Sequence, residues 1–332
     1  MPLLLTEEDV KVLLTMPLAL EAVETSFQRL ADATATLQFR QRLYVPGKGV
    51  LNHMAAADTT TGYMGLKIYS ISREGGARFL VTLFKADSGE LVSLMEADYL
   101  GQVRTGAASG VATRFMARED ARVAAIIGTG LQARTQLEAI APVRKLESIR
   151  AFGRDPARRE AFAREMTERL RIPVTPAASA EEAVRGAQIV ITCTTSKDPV
   201  LEGRWLEPGM HINAVGVNQA QKRELDTEAV LRCDLIAADS REQSRIEAGD
   251  LIHAFGADAS RWETVHEFSD VVAGKTPGRS SAGQITLFKS NGVATEDIVV
   301  AGRIYELALQ RGMGKEVPMW RKDARSMAER GI

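Results

Sequence analysis

A glycine-rich turn between an apolar segment and a helical one is the feature that most constrains the fold. The segment VAAIIGTGLQART (residues 123–135) places Gly128, Gly130 and Ala133 in the pattern G-x-G-x-x-A. Gly128 permits a tight turn, Gly130 lets the backbone approach a pyrophosphate, and Ala133 lets the helix pack closely on the strand. The helix N-terminus offers free N–H groups and a positive dipole. Because the pattern follows a strand and opens a helix in a strand–helix–strand unit, it predicts a dinucleotide-binding domain.

The rest of the chain divides into two kinds of pattern. From Ala121 onward, short apolar segments alternate with helical ones, which predicts parallel strands joined by crossover helices. Between Arg40 and Glu96, apolar segments follow one another through turns such as ADSGE (residues 86–90), which predicts a mostly antiparallel sheet. The predicted fold class is therefore α/β, with a Rossmann-type doubly wound parallel sheet and a second, mostly antiparallel α+β domain.

The domain boundaries follow from where these patterns change. We assign residues 114–299 to the dinucleotide-binding domain, and residues 1–113 with 300–332 to the second domain. The doubly wound pattern is complete before the long helical segment that starts near Thr295, so that this segment can return to the first domain. A chain of 332 residues is long enough for two domains.

Composition and charge bear mainly on partners. The formal net charge of −1 gives no electrostatic signature of nucleic-acid or membrane binding. No run of 18 apolar residues could span a bilayer, and the N-terminal sequence lacks the basic segment of a signal peptide. Cys193 and Cys233 predict no disulfide framework, and the four scattered histidines predict no metal site. We expect a cytoplasmic protein that acts on a small molecule.

The residues after the next strand bear on the choice of nucleotide. NAD sites usually carry Asp or Glu there, to accept from the ribose 2′-hydroxyl. This chain has Gly153 followed by Arg154, and an arginine there can stack on adenine and pair with a 2′-phosphate, with Arg158 placed to assist. Asp155, which precedes a proline, is typical of a helix cap. The alternative is that the arginines form a solvated helix face; we predict NADP(H) in preference to NAD(H).

Three cations lie on or beside apolar segments of the antiparallel part. Lys67 is in the middle of GYMGLKIYS, Arg104 is near the start of a helical segment rich in small residues, and Arg42 precedes both. Singly, each is more typical of a surface charge. Beside a dinucleotide site the three together predict a carboxylate clamp, because Arg and Lys bind carboxylates through charge-assisted hydrogen bonds.

Eight segments, taken together, resemble the ornithine cyclodeaminase/μ-crystallin family. In order along the chain they are YMGLKIYS, ADSGELVSLMEA, VRTGAASGVAT, AAIIGTGLQA, AQIVITCTT, LEPGMHINAVG, KRELD and ALQRGMG. The resemblance covers nearly the whole chain, and the order and spacing are far more specific than the glycine turn alone. It implies a homodimer, a substrate and dimerisation domain built from the N-terminal part plus the C-terminal helix, and hydride transfer at the α-carbon of an amino or imino acid.

The resemblance also implies roles for individual residues. The substrate-binding group comprises Arg42, Lys67, Arg104, Asn218 and Asn291, of which Lys67, Arg104 and Asn218 are the candidate catalytic residues. Burial would tune Lys67 to donate or relay a proton. The cofactor-binding group combines the glycine turn and Arg154, predicted above, with residues that the resemblance adds. It comprises Thr105, Gly128, Gly130, Leu131, Gln132, Arg154, Thr194, Val215, Lys222 and Ser290.

One position departs from the family. Its ornithine cyclodeaminases carry an aspartate shortly after the NAVG strand, where this chain has Asn218. An amide can orient a substrate nitrogen or a water, but it cannot act as a general base as a carboxylate can. Asn218 therefore argues against cyclodeamination and favours imine reduction or amino-acid oxidation.

The sequence thus predicts an NAD(P)H-dependent oxidoreductase that reduces the C=N bond of an imino acid. A cyclic substrate such as Δ1-pyrroline-2-carboxylate or Δ1-piperideine-2-carboxylate is favoured. Three alternatives stay open: an amino-acid dehydrogenase of the alanine type, an ornithine cyclodeaminase, and a non-catalytic, crystallin-like protein that binds NADPH. A cyclic ketimine reductase needs no added ammonia, whereas alanine formation from pyruvate does.

Overall fold

The structure, a computed structural model, describes residues 1–72 and 74–319. Within this part of the chain the strands form a seven-stranded and an eight-stranded sheet. Residues 320–332 of the predicted second domain lie outside the described residues. Among the described residues, no helix has the length and apolar character needed to cross a membrane.

The first sheet is mostly antiparallel. Its strands are β1 (Leu3–Leu5), β2 (Ala35–Val45), β3 (Gly49–Asp58), β4 (Tyr63–Ser72), β5 (Gly76–Lys85), β6 (Leu91–Glu96) and β15 (Lys315–Glu316). They lie in the order β15-β1-β6-β5-β4-β3-β2, and β1 with β6 is a parallel pair. The helices α1 (Glu7–Leu13) and α2 (Met16–Ala31) follow β1, and Thr6 and Asp9 form the capping box that starts α1. The predicted hairpin turn at residues 86–90 joins β5 to β6.

The second sheet is parallel throughout. Its strands are β7 (Val123–Ile127), β8 (Ser148–Phe152), β9 (Val174–Pro176), β10 (Ile189–Thr192), β11 (His211–Ala214), β12 (Leu235–Ala238), β13 (Val265–Glu267) and β14 (Thr286–Lys289). The order is β13-β12-β14-β11-β10-β7-β8-β9, which is that of a doubly wound sheet. Strands β8 and β9 are added on one side of β7, and β10 and β11 are added on its other side. The connecting helices are α4 (Leu131–Ile140), α5 (Pro156–Leu170), α6 (Ala180–Val184), α7 (Thr227–Leu231), α8 (Arg241–Glu247), α9 (Gly249–Phe255), α10 (Ala259–Glu263) and α11 (Phe268–Val272). The predicted fold class is confirmed.

Helix α3 (Asp98–Met116) joins the two sheets and needs its small residues. A Cβ at Gly106 would lie 2.3 Å from the carbonyl oxygen of Thr135, and one at Gly110 would lie 2.8 Å from that of Ala139. Both acceptors belong to α4, so glycine lets α3 approach the helix that carries the glycine turn. The first residues of α3 are thereby held beside that turn.

Helix α12 (Ala294–Arg311) leaves the end of β14 and packs on α2, β3 and β4 of the first sheet. This is the return to the first part of the chain that the sequence predicts; the boundaries at residues 113 and 299 stay a prediction. An aromatic contact also joins the two halves, because the ring of Phe268 lies 4.8 Å from that of Phe27 on α2. Within the parallel half, Phe268 lies 4.6 Å from Phe288. One apolar cluster thus spans the two sheets, and two further clusters lie within the parallel half.

Candidate active site between the two sheets

A cleft of about 590 Å³ lies between the carboxyl edge of the parallel sheet and the antiparallel sheet. Residues after β7, β10, β11 and β14 line one side, and β2, β4, β5 and the start of α3 line the other. This edge is where doubly wound sheets bind ligands. Of the predicted site residues, those that line the cleft are Lys67, Arg104, Thr105, Gly130, Leu131, Gln132, Thr194, Val215, Asn218, Ser290 and Asn291.

The glycine turn has the geometry that a pyrophosphate requires. Gly128 has φ +116°, and a Cβ there would lie 2.5 Å from the carbonyl oxygen of Cys193. A Cβ at Gly130 would have no described atom within 4 Å, so space is open above the start of α4. No side chain caps this helix, and Oε1 of Gln132 is buried without a hydrogen-bond partner in the described part of the chain. The turn therefore fits the phosphates of a dinucleotide.

The end of β8, where the nucleotide ribose is expected, carries no acidic side chain. A Cβ at Gly153 would lie 2.6 Å from Oγ1 of Thr129, so contact with the glycine turn explains the glycine. Arg154 is exposed and forms no ion pair with any described residue, whereas Asp155 caps α5 as predicted. The guanidinium of Arg159 lies 5.6 Å above the ring of Phe152, beside the same site. This second arginine was not predicted from the sequence.

Lys67 and Arg104 meet at one carboxylate. Nζ of Lys67 lies 2.7 Å from Oδ1 of Asp297, and Nε of Arg104 lies 3.0 Å from the same oxygen. Nη1 of Arg104 lies 2.6 Å from Oε2 of Glu296. All four side chains are buried. The predicted clamp residues are therefore brought together, and two carboxylates from the first turn of α12 hold them in place.

Arg40, rather than Arg42, lines the cleft on β2. Arg40 pairs with Oε1 of Glu247 through Nη1, and its Nη2 donates to the carbonyl oxygen of Asn291 at 2.8 Å. Nη2 of Arg42 instead donates to Oε2 of Glu247 at 2.6 Å and to the carbonyl oxygen of Asn218 at 2.8 Å. Arg42 therefore does not line the cleft, and its place in the substrate-carboxylate clamp stays a prediction.

Burial sets the protonation of this cluster. Burial and the neighbouring charge of Arg104 lower the pKa of Lys67 to about 8, although Asp297 opposes the shift. Burial raises the pKa of Glu296 to about 7, against the pull of Arg104. The segment ATED (residues 294–297) is the one signal for these carboxylates in the sequence, and it is also typical of an ordinary helix start.

Polar loops complete the floor of the cleft. Nδ2 of Asn218 donates to the carbonyl oxygen of Asn291 at 3.4 Å. Asp239 accepts from the backbone N–H of Asn291 at 2.6 Å and from Oγ of Ser290 at 3.3 Å, so it fixes the loop after β14. Oδ1 of Asn291 is buried without a hydrogen-bond partner among the described residues. Two amides are therefore placed to contact a bound ligand.

The strand ends under the cleft are fixed by Glu224, which was also not predicted. Its two carboxylate oxygens accept from the N–H of Thr194 at 2.5 Å and from that of Gly216 at 2.8 Å. Thr105 faces the cleft from α3. Lys222, two residues before Glu224, does not line the cleft. A cofactor contact for Lys222 stays a prediction.

An apolar wall stands beside the clamp. The rings of Tyr69 and Phe79, cross-strand partners on β4 and β5, stack with centroids 4.8 Å apart. Ile71 and Ala77 continue this wall toward the opening of the cleft. Nζ of Lys67 lies 5.5 Å from the Phe79 ring centre. A ligand whose carboxylate reaches the cations therefore places its remaining atoms near apolar surface.

Comparisons with known proteins agree with this arrangement. The family described as ornithine cyclodeaminase/mu-crystallin matches residues 1–312. A Δ1-pyrroline-2-carboxylate reductase of Bacillus cereus is 36% identical to the chain, over 76% of this chain and 80% of its own length. The resemblance predicted from the eight segments is thereby confirmed.

Two solved structures match nearly the whole chain. Thermococcus litoralis Δ1-pyrroline-2-carboxylate reductase, in complex with NADH and L-proline, has a TM-score of 0.90 and 36% identity, with 95% of this chain and 100% of that chain covered. An archaeal alanine dehydrogenase dimer with bound NAD has a TM-score of 0.90 and 32% identity, with 96% and 99% covered. Both neighbours carry a pyridine nucleotide.

Proposed function

The chain belongs to the ornithine cyclodeaminase/mu-crystallin family, and on this premise we propose that it reduces the C=N bond of an imino acid with a pyridine nucleotide. The observation that carries the proposal is the cluster of Arg40, Lys67 and Arg104, buried at the carboxyl edge of the parallel sheet beside the glycine turn. Three cations at one place fit a substrate carboxylate. The adjacent turn fits the nucleotide.

The clamp has donors left for a substrate. A lysine ammonium has three N–H donors, and Lys67 gives one to Asp297. Nε of Arg40 is buried with no acceptor among the described residues. A carboxylate that accepts from these groups is held in one orientation, in the same cleft that Thr194 and Val215 line. Because the cofactor carries out the hydride transfer, the protein accelerates it by holding the substrate in the reactive orientation.

The chain's own residues then position the substrate and hold its protons. When bound, a reduced nicotinamide supplies the hydride to the imine carbon. Asn218 and Asn291 are placed to orient the substrate nitrogen through their amides. Lys67, as an ammonium, is placed to hold the proton that the nitrogen needs. The walls formed by Tyr69 and Phe79 exclude water from this end of the cleft.

We favour a cyclic imino acid, such as Δ1-pyrroline-2-carboxylate or Δ1-piperideine-2-carboxylate, as the substrate. The apolar wall suits a ring of methylene groups, and Asn218 lacks the base that cyclodeamination would use. Both Δ1-pyrroline-2-carboxylate reductases described above support this choice. An alanine-type dehydrogenase is the second candidate, because the archaeal alanine dehydrogenase matches the fold as well as the reductase does.

The choice of nucleotide is a further part of the proposal. The cofactor is a pyridine nucleotide, and we propose NADP(H) in preference to NAD(H) because Gly153 stands where an acid would read the ribose and the exposed Arg154 follows it. A 2′-phosphate is a strong partner for a free guanidinium.

A homodimer is also proposed. Apolar side chains are exposed together at one end of the β2–β4 ribbon, namely Leu43, Tyr44, Val45, Leu51 and Ile71. Exposed apolar clusters of this kind mark contact surfaces, and the archaeal alanine dehydrogenase is a dimer. In this proposal the antiparallel domain, residues 1–113 with 300–332, provides the contact. Light scattering at two concentrations tests it, and a monomer at micromolar concentration would refute it.

The function is tested by following nucleotide oxidation with a panel of substrates. We expect turnover of Δ1-pyrroline-2-carboxylate or Δ1-piperideine-2-carboxylate without added ammonia, faster with NADPH than with NADH. If pyruvate is reduced faster than the cyclic imino acids, and this reduction requires ammonia, the protein is an alanine-type dehydrogenase. Nucleotide binding without turnover of any imine or 2-oxo acid would favour the crystallin-like alternative.

A further inference from the structure

Two neighbouring carboxylates, those of Glu296 and Asp297, contact the cations of the clamp in different ways. Oδ1 of Asp297 accepts from both Lys67 and Arg104, at 2.7 and 3.0 Å. Oε2 of Glu296 accepts from Nη1 of Arg104 at 2.6 Å. In the described part of the chain, Glu296 forms neither a hydrogen bond nor an ion pair with Lys67. Asp297 thus sets the distance between the two cations, whereas Glu296 supports one of them.

Close packing surrounds the Asp297 carboxylate and its partner Arg104. Gly292, before α12, has φ +79°, and a Cβ there would lie 2.7 Å from Nη1 of Arg104. A Cβ at Gly65 on β4 would lie 2.7 Å from Cδ1 of Ile298, so β4 and α12 are in direct contact one residue after Asp297. The carboxylate is also fully buried. Its place relative to β4 is therefore set by packing, not by a mobile loop.

Lys67 has few other charged neighbours. Arg104 faces it from α3 and Arg40 from β2, and both cations disfavour a third positive charge. Its register partners on β3 and β5 are the uncharged Met54 and Val81. Asp297 on α12 is the group that favours the charged form of the lysine.

We propose that Asp297 is a positioning residue, which fixes Lys67 and Arg104 at the spacing of one substrate carboxylate and keeps Lys67 in its ammonium form during turnover. The inference rests on the proposed imine reduction. The Asp297 side chain does not line the cleft, so it acts through the two cations. The consequence is that activity falls on the alkaline side when Lys67 loses its proton, and that Asp297 sets where this fall occurs.

The test compares Asp297→Asn with the matched control Glu296→Gln, which neutralises the adjacent carboxylate. The measurement is kcat/KM for Δ1-pyrroline-2-carboxylate against pH, with NADPH binding followed by fluorescence. We expect Asp297→Asn to lower kcat/KM by about ten- to a hundredfold, the range for one lost charge-assisted hydrogen bond, and to move the alkaline limb to lower pH. Glu296→Gln should leave this limb in place. NADPH should bind to both variants as to wild type.

Asp297→Glu is a second variant that keeps the charge but displaces it by one methylene. We expect a lower kcat/KM with the alkaline limb unmoved, which separates position from charge even when the asparagine variant does not fold. A limb unchanged in Asp297→Asn, an equal shift in Glu296→Gln, or full activity in Asp297→Glu would each overturn the proposal.

An activity-independent measurement distinguishes failure of this inference from failure of the proposed function. NMR titration of 13C-labelled lysine side chains, with Lys67→Arg to assign the resonance, follows the charge of Lys67 directly. We expect its pKa to be lower in Asp297→Asn than in wild type. If wild type reduces no imine but the titration shifts, the proposed substrate is wrong and the role of Asp297 stands; an unshifted titration refutes that role.

Discussion

Replacement of Arg40 by methionine should damage turnover far more than the same replacement of Arg42. Both guanidiniums contact Glu247, one on each carboxylate oxygen, so each variant removes one partner from the same acid. In each case Glu247 keeps the other arginine and the Nε2 donor of Gln243 at 2.5 Å. Each variant also removes a donor from backbone carbonyls, those of Asn291 and Gly292 for Arg40 and that of Asn218 for Arg42. The two variants differ further in which arginine lines the cleft.

The expected magnitudes follow from burial. The Arg40 side chain is 3% exposed, and loss of a charged partner for a desolvated substrate carboxylate costs about 2–5 kcal/mol. This cost corresponds to a drop in kcat/KM of at least about thirtyfold. The Arg42 side chain is 17% exposed and does not line the cleft, so its loss should lower kcat/KM by at most about fivefold, which corresponds to about 1 kcal/mol.

The assay is kcat/KM for Δ1-pyrroline-2-carboxylate with saturating nucleotide, alongside thermal unfolding of both variants. Similar unfolding temperatures with a large difference in kcat/KM would support the structural assignment. If Arg42→Met lost as much activity as Arg40→Met, or more, the assignment of the clamp to Arg40 would be wrong and the original prediction of Arg42 would be restored.

Three further outcomes are expected. Arg154→Ala should weaken NADPH binding by about 1–3 kcal/mol in a fluorescence titration and leave NADH binding unchanged, because a 2′-phosphate contact is lost; equal effects would remove the argument for NADP(H). The rate of proline formation from ornithine should be much lower than the rate of Δ1-pyrroline-2-carboxylate reduction in the same preparation, because Asn218 cannot act as a base. Comparable rates would contradict this. Burial lowers the pKa of His211 to about 3, so the unfolded state takes up a proton that the folded state excludes as pH falls below about 6.5. The free energy of unfolding should therefore fall from pH 6.5 toward pH 3, by up to a few kcal/mol, and denaturant titrations of His211→Gln should show a weaker fall.

Local patterns in the sequence were sufficient to predict the fold, and they also led to the prediction of the glycine turn as a cofactor contact. The glycine turn has its own backbone requirement, so Gly128 and Gly130 could be assigned from adjacent residues. Lys67 and Arg104 were predicted because a cation inside an apolar segment is conspicuous wherever the segment packs.

The remainder of the site depends on contacts between distant parts of the chain. Asp297 lies 193 positions from Arg104, and an acid in the first turn of a helix is ordinary until the fold places two cations beside it. Arg40 and Arg42 are two residues apart on one strand, and the register of β2 with β3 shifts between Gln38 and Gln41. Alternation along the strand could therefore not show which of the two lines the cleft, whereas the structure places Arg40 there.

The aromatic contact that Phe268 makes with Phe27 and Phe288 bears on how this protein can be re-engineered. Grafting a foreign nucleotide module in place of the parallel sheet would remove Phe268 from Phe27 and expose the part of α2 that packs on α11. Recombination of the two halves between relatives should therefore succeed solely when the interface residues travel together. For the same reason, calorimetry should record one melting transition for both halves rather than two, since one apolar cluster is built from buried side chains of both halves.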